Sequence, residues 1–395
     1  MIQNKKCLLF KNAQVVSDGK VQSKDVVVFR DKFVKTPPKD CEIIEVDCEG
    51  RYLMPGFIDI HVHGGGNCDF MDGNPASVRT VALTHLAHGT TTMMPTLLTA
   101  SHEEILAALA AYNAATEQDA LLRSIFYGVH MEGPYLSKNQ KGAQDESYIK
   151  DFTGREYEIY YHLCREIKRW SIAPEVKGLE EFEAFCEKND IAISVAHTDA
   201  FGEEIIKRWT PQFKLFTHLY SGMQGVTRVN CYRHAGAVEA AYLLKDAYAE
   251  IIADGRHLPK ELLLLVYQIK GPKKTVLITD AIRAAGTDLK YSFIGSKENG
   301  LPIVIENNVA YLQDKSSFAG SVATADLLVK NMVEAGIPLE DAVRMVTETP
   351  AKLFGMKKIG GIRFGYYADF VLADQNLNVR KVFKRGREIP GGKQE

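Results

Sequence analysis

The most constraining feature of this chain is positional: residues able to bind metals or move protons stand just after short apolar runs, again and again. His61 and His63 close the run Phe57-Ile58-Asp59-Ile60, Glu132 follows Ile125-Phe126-Tyr127-Gly128-Val129, and His197 follows Ile191-Ala192-Ile193-Ser194-Val195-Ala196. His218 follows Leu215-Phe216-Thr217, His257 lies just beyond Ile251-Ile252-Ala253-Asp254-Gly255, and Asp280 follows Val276-Leu277-Ile278-Thr279. Longer stretches of helical periodicity, such as 103–115 and 260–270, lie between the runs. Repeated β-then-α signals mean parallel strands. In a parallel barrel the carboxyl ends of all strands converge on one face, where catalytic groups collect. Residues distant in sequence would meet there.

The ends of the chain read differently. Residues 1–53 hold short apolar or alternating runs broken by Asn12, Asp18-Gly19 and Pro37-Pro38, and residues 357–395 return to strand-like pieces such as Phe370-Val371-Leu372-Ala373. The expected architecture is therefore α/β: a (β/α)8, TIM-like barrel over 54–356 and a small discontinuous β-sandwich domain built from 1–53 and 357–395. A barrel of about 250 residues fits within the 395 available.

Composition excludes several classes. The 48 Lys+Arg are balanced by 50 Asp+Glu, which is no surface for a nucleic-acid backbone; the basic run Lys381, Lys384, Arg385, Arg387 reads as a solvated tail. No apolar stretch reaches the roughly 18 residues of a membrane span, and Cys7-Leu8-Leu9-Phe10 is too short for a signal sequence. A cytoplasmic address is expected. The seven cysteines form no C-x-x-C pair, so they read as reduced and mostly structural.

Glu132, His197 and His218 form a Glu/His/His set at three strand ends, which suits Zn or Fe and is poor in the oxygens that Ca or Mg prefer. His61 and His63, two apart on a strand, point the same way and can share a metal. His130 is either a donor behind Glu132 or a satisfied core histidine. Asp280 is the best proton-transfer group, against the alternative of a helix N-cap. Asp199 and Asp254 read as capping or structural residues, and no chemistry is assigned to His85, His88, His102, His162 or His234.

Taken in order, the segments Pro55-Gly56-Phe57-Ile58-Asp59-Ile60-His61-Val62-His63-Gly64, Glu132-Gly133-Pro134, Lys141-Gly142-Ala143, Ala196-His197-Thr198, Thr217-His218-Leu219-Tyr220, Ile252-Ala253-Asp254-Gly255, Thr279-Asp280-Ala281 and Ala319-Gly320-Ser321 resemble the N-acetylglucosamine-6-phosphate deacetylases of the amidohydrolase superfamily. The resemblance implies a metal on Glu132, His197 and His218, Asp280 as general base then acid, and His257 against the sugar or acetyl group. It also implies a pocket edge from Ala143, Phe318, Ala319 and Gly320. Some members carry H-x-H on the first strand and others do not, so His61 and His63 leave room for a second metal. The resemblance further implies a sugar-phosphate substrate and a homodimer, with the phosphate-binding arginine supplied by the neighbouring subunit.

This chain departs from the family at the phosphate end. Ser221-Gly222 replaces Asn-Ala, Gln144 replaces a histidine, and Arg228 is the nearest equivalent of the phosphate-binding arginine, with Arg233 a competitor. Backbone N–H groups and one hydroxyl at Ser221-Gly222 can still serve a phosphate. The reaction expected is hydrolysis of the acetamide of N-acetylglucosamine 6-phosphate, giving acetate and the amino sugar phosphate. The alternatives are the N-acetylgalactosamine 6-phosphate epimer, another amidohydrolase chemistry (cyclic amide hydrolysis or base deamination), and a non-catalytic protein on a retained barrel.

Overall fold

The computed structural model describes residues 6–390. Its centre is eight parallel strands: β1 (Phe57–Val62), β2 (Thr90–Leu97), β3 (Val129–Glu132), β4 (Ile167–Ile172), β5 (Ala192–Val195), β6 (Phe213–Phe216), β7 (Tyr248–Ile252) and β8 (Thr275–Ile278). They pair in chain order. The ring closes where Val62 bridges Ala281 in parallel, with the His63 N–H donating to the Ala281 carbonyl at 2.8 Å and the Asp280 N–H to the His61 carbonyl at 2.9 Å. Every residue of β1 and β2 is buried, as expected of parallel strands covered on both faces.

Helices cover the outside. The helix His102–Gln118 buries Ile105, Ala108, Leu109, Tyr112 and Ala115, one stripe at helical spacing, and Ser101 and Glu104 cap its first turn reciprocally. It extends the expected 103–115 at both ends, and Lys260–Lys270 coincides with expectation. No helix among the described residues is long and apolar enough to cross a membrane.

Both ends of the chain enter one mixed eight-stranded sheet, in which Val371 lies opposite Met54. The strand Lys6–Ser17 pairs along one edge with Lys20–Phe29 and along the other with both Glu42–Asp47 and Tyr52–Pro55. The sheet therefore curls over a core of its own, where Phe10 meets the edge of Phe370 at 5.1 Å, Phe370 stacks on Phe383 at 4.4 Å, and Phe33 lies 5.7 Å from Phe370.

The terminal basic run lies on and beside strands rather than in a tail; Lys381 and Arg387 are exposed as expected, but Lys384 is buried and Arg385 half-buried. Lys384 lies on the strand Val379–Lys384, 3% exposed, with its Nζ 2.8 Å from Asp369, while Arg385 stacks over Tyr367. Strand pairing turns Lys384 inward, and a buried ammonium requires a carboxylate partner. All seven cysteines are free.

Two insertions interrupt the β-then-α rhythm. A hairpin, Thr227–Val229 with Tyr232–His234, follows β6, and a three-stranded antiparallel sheet, Tyr291–Ile294, Leu301–Glu306 and Val309–Leu312, follows β8.

Candidate active site and metal centre

The carboxyl ends of β1, β3, β5, β6 and β8 bring the expected metal ligands and Asp280 to one point. Glu132 ends β3 and is the hub: its Oε1 lies 3.4 Å from His61 Nε2, 3.4 Å from His197 Nε2 and 3.0 Å from His218 Nε2, and its Oε2 lies 3.4 Å from His63 Nε2. Two trios result, Glu132/His197/His218 and His61/His63/Glu132, with one ligand atom of each residue within 4.8 Å of the others in its trio. Asp280 joins from β8, its Oδ1 3.0 Å from His63 Nε2 and 3.3 Å from His61 Nε2.

The rings are held from behind. His63, His197 and His218 turn Nδ1 to the backbone carbonyls of Thr96 (3.2 Å), Gln140 (2.7 Å) and Ser221 (3.1 Å), so Nε2 of each faces the carboxylates. An imidazole that hands one ring N–H to an oxygen presents the other nitrogen as a metal ligand, and four Nε2 atoms around one carboxylate form a donor set suited to Zn or Fe.

Backbone strain accompanies this convergence. His197, His218 and Asp280 have φ of 43°, 28° and 48°, each just past its strand. Non-glycine residues rarely adopt such conformations, which cost of order 1 kcal/mol or more each and collect at functional sites.

Burial alone would raise the Glu132 carboxyl, but His61 and hydrogen bonds from His197 and His218 outweigh it and hold the group well below the usual carboxylate range. Burial also raises Asp280, and the charges of His61 and His63 override that and lower it. Burial depresses His61 and His63, yet the carboxylates dominate and hold them up at about 9 and about 10. His130 is a satisfied core histidine: its nitrogens meet Thr96 Oγ1 at 3.1 Å and Ser171 Oγ at 2.7 Å, and its ring packs edge-on against His61 at 4.6 Å.

A cavity of about 250 Å³ opens over the cluster, and His63, Glu132, His197, His218, His257, Asp280, Ala143, Ser221, Gly222, Phe318 and Gly320 all line it. Ala319 is fully buried behind its neighbours and does not line it; His61 likewise lies beneath. Gly222 has φ 58°, and a Cβ there would come within 2.6 Å of His197 Nδ1, so this backbone favours glycine where the family resemblance places alanine. His257 is oriented by Asp254, whose Oδ2 accepts from Nδ1 at 2.8 Å and whose Oδ1 accepts from the His257 N–H at 2.9 Å, and its ring packs 4.8 Å from Phe318. Asp199 ties loops together, accepting from Ser137, Gln140 and Gln224.

Arg228 and Arg233 do not reach this cavity. They face each other across the hairpin as directly paired residues, both exposed. The cavity also contains groups that strand-end reasoning missed: Leu98, Tyr220, Ile294 and Ser317. Leu98 follows β2 and could have been read from its place after Thr90–Leu97, whereas Ile294 arrives on the three-stranded insertion, which no local signal attaches to the barrel mouth.

The amidohydrolase family model matches residues 52–389. The chain belongs to the amidohydrolase family. It is 32% identical over 85% of its length to an N-acetylgalactosamine-6-phosphate deacetylase of Shewanella sp. (strain ANA-3), covering 82% of that protein. It is 30% identical over 98% of its length to an N-acetylglucosamine-6-phosphate deacetylase of Caenorhabditis elegans, covering 94% of that protein. Its fold superposes with TM-score 0.86, at 26% identity, on a mutant Mycobacterium smegmatis N-acetyl-D-glucosamine-6-phosphate deacetylase in complex with N-acetyl-D-glucosamine-6-phosphate; the match covers 97% of this chain and 99% of that one. Members of this family use a divalent metal, and the Glu132 cluster supplies residues able to hold one.

Proposed function

We propose that this amidohydrolase removes the acetyl group from an N-acetylhexosamine 6-phosphate, with N-acetylglucosamine 6-phosphate as substrate. One observation carries the reading: Glu132, His197, His218 and Asp280 converge in one cavity of a chain whose full-length relatives bear that activity in their names. N-acetylgalactosamine 6-phosphate is the second reading, favoured by the 32% identity to the Shewanella protein.

Glu132, His197 and His218 would hold the first metal, Zn or Fe by donor chemistry, and His61 and His63 with Glu132 a second. A divalent metal bound there supplies Lewis acidity toward an amide carbonyl and toward water. Asp280 takes the proton of the attacking water, then delivers it to the departing nitrogen, which is too basic to leave as an anion. His257, held by Asp254, contacts the sugar or the acetyl group. Leu98, Ile294 and Phe318 give the cavity apolar wall, and Ser221 and Gly222, which also line it, would offer a hydroxyl and an N–H to the phosphate.

The phosphate also needs a guanidinium. Arg228 and Arg233 lie opposite each other on an exposed hairpin, with no carboxylate partner among the described residues, an arrangement of like charges that is unfavourable without an anion. Val226, Val229 and Tyr232 on or beside that hairpin are exposed, Tyr232 by 76%. Together these support a homodimer in which the hairpin of one chain reaches the pocket of its partner. Seven free cysteines suit a reducing, cytoplasmic setting.

Acetate release from the two epimeric hexosamine phosphates, compared as kcat/KM, tests the reading. Ammonia or ring opening from cyclic amides or bases, with no acetate from either epimer, would overturn it. Asp280→Asn is expected to keep the metal content and lower kcat by about 10³-fold; an active variant removes Asp280 from the proton-transfer role.

A further inference from the structure

The barrel interior beneath the imidazoles is charged where such barrels ordinarily carry branched aliphatic side chains. Arg169 on β4 and Glu250 on β7 are fully buried and paired: Arg169 Nη1 donates to Glu250 Oε1, and Nη2 donates to Oε2 at 2.7 Å. The remaining guanidinium donors reach Ser194 Oγ (3.1 Å), Thr217 Oγ1 (2.9 Å) and the carbonyl of Ile60 (3.1 Å), the residue before His61. Replacing a buried ion pair by apolar side chains of similar volume is often neutral or stabilising. Stability alone therefore does not account for this pair.

The back of the His61 ring supplies the reason. Three imidazoles of the cluster turn Nδ1 to backbone carbonyls. His61 Nδ1 is buried, has no hydrogen-bond partner among the described residues, and faces Glu250 Oε2 at 3.7 Å. Closing by about 0.7 Å would make that contact a hydrogen bond.

We propose that Glu250, clamped by Arg169, is the positioning residue of His61: its carboxylate takes the Nδ1–H and so presents Nε2 to a metal at the His61/His63/Glu132 position. The same guanidinium holds both the carboxylate and the peptide that carries His61. A carboxylate acceptor makes an imidazole a stronger ligand than a carbonyl does, and His61 alone of the four turns Nδ1 toward one, at 3.7 Å. The inference rests on the proposed second metal position and assigns this chain's ability to fill it to two residues outside the cavity.

The test counts metal. Purified protein saturated with Zn²⁺, then desalted, is expected to hold two ions per chain. The Arg169→Met/Glu250→Leu double variant, which removes both charges together, is expected to hold one, with its second Kd raised about 10- to 100-fold. A double variant that binds both ions with unchanged affinity overturns the proposal. A wild type that holds one ion removes the second position, and this inference with it, while leaving the Glu132/His197/His218 reading standing. Should the double variant fail to fold, the wild type decides: the ¹⁵N spectrum of the Zn-loaded, histidine-labelled protein should show His61 protonated at Nδ1 and protected from exchange, assigned by its loss in His61→Asn. A His61 ring protonated at Nε2 overturns the proposal.

Discussion

Gln144 shows how a single departure acquires meaning only through its contacts. It stands where the family resemblance places a histidine, and its side chain bridges the site: Nε2 donates to Glu132 Oε2 at 2.8 Å while Oε1 accepts from the Thr99 N–H at 2.9 Å. Gln144→Ala would leave a buried carboxylate oxygen and a buried N–H short of a partner. Metal affinity is expected to fall about 10- to 100-fold, measured by competition with a chelator; unchanged affinity would show that Gln144 does not position Glu132. The ligands themselves were legible one residue at a time, because each follows an apolar run and the barrel sends every such position to the same face. The partner of Gln144 was not, because 12 residues and two breaks in secondary structure separate it from Glu132.

At the scale of elements, the turn after β1 makes a second case. Gly64–Gly65 pairs with Cys68–Asp69, and Asp69 then caps the short helix Phe70–Asp72, accepting from the Met71 N–H at 2.9 Å. Asp69 is fully buried and its Oδ2 has no hydrogen-bond partner among the described residues. Burial raises its carboxyl to about 7 against the pull of Arg283. The folded value exceeds the unfolded value near 4, so the unfolded chain ionises first as pH rises. Stability is thus lost between about pH 4 and pH 7 and is level above, the loss running at about 1.4 kcal/mol for each pH step of one within that window. Asp69→Asn keeps the shape of the cap and removes this dependence. The variant should gain on the wild type in denaturant melts at pH 8 relative to pH 5; an equal difference at both values would show that Asp69 ionises normally. The helices His102–Gln118 and Lys260–Lys270 were readable from their periodicity. The insertions that deliver Ile294 and Arg228 were not, since antiparallel strands carry no local signal of what they will cover.

For the whole molecule, the hairpin arginines pose the question of which chain a site draws on. Co-expression answers it. Asp280→Asn chains and Arg228→Ala/Arg233→Ala chains should each be nearly inactive alone, and statistical mixing should restore about a quarter of the wild-type sites if the arginines act across a twofold interface. No recovery would place phosphate binding within one chain or on other residues.

The order of strand-end ligands, the two sheet-forming termini and the helical crossovers all follow from local pattern, because side-chain period and burial are set by near neighbours. The strained φ at His197, His218 and Asp280, the bridge from Gln144 to Glu132, and the pairing of Arg169 with Glu250 do not. Nothing local in the sequence marks Arg169 or Glu250; closing the barrel sets β4 and β7 face to face across its interior and makes one the necessary partner of the other. Contacts of that kind depend on where distant segments end up, and a buried charge or a left-handed backbone is tolerated only once the surrounding structure holds it.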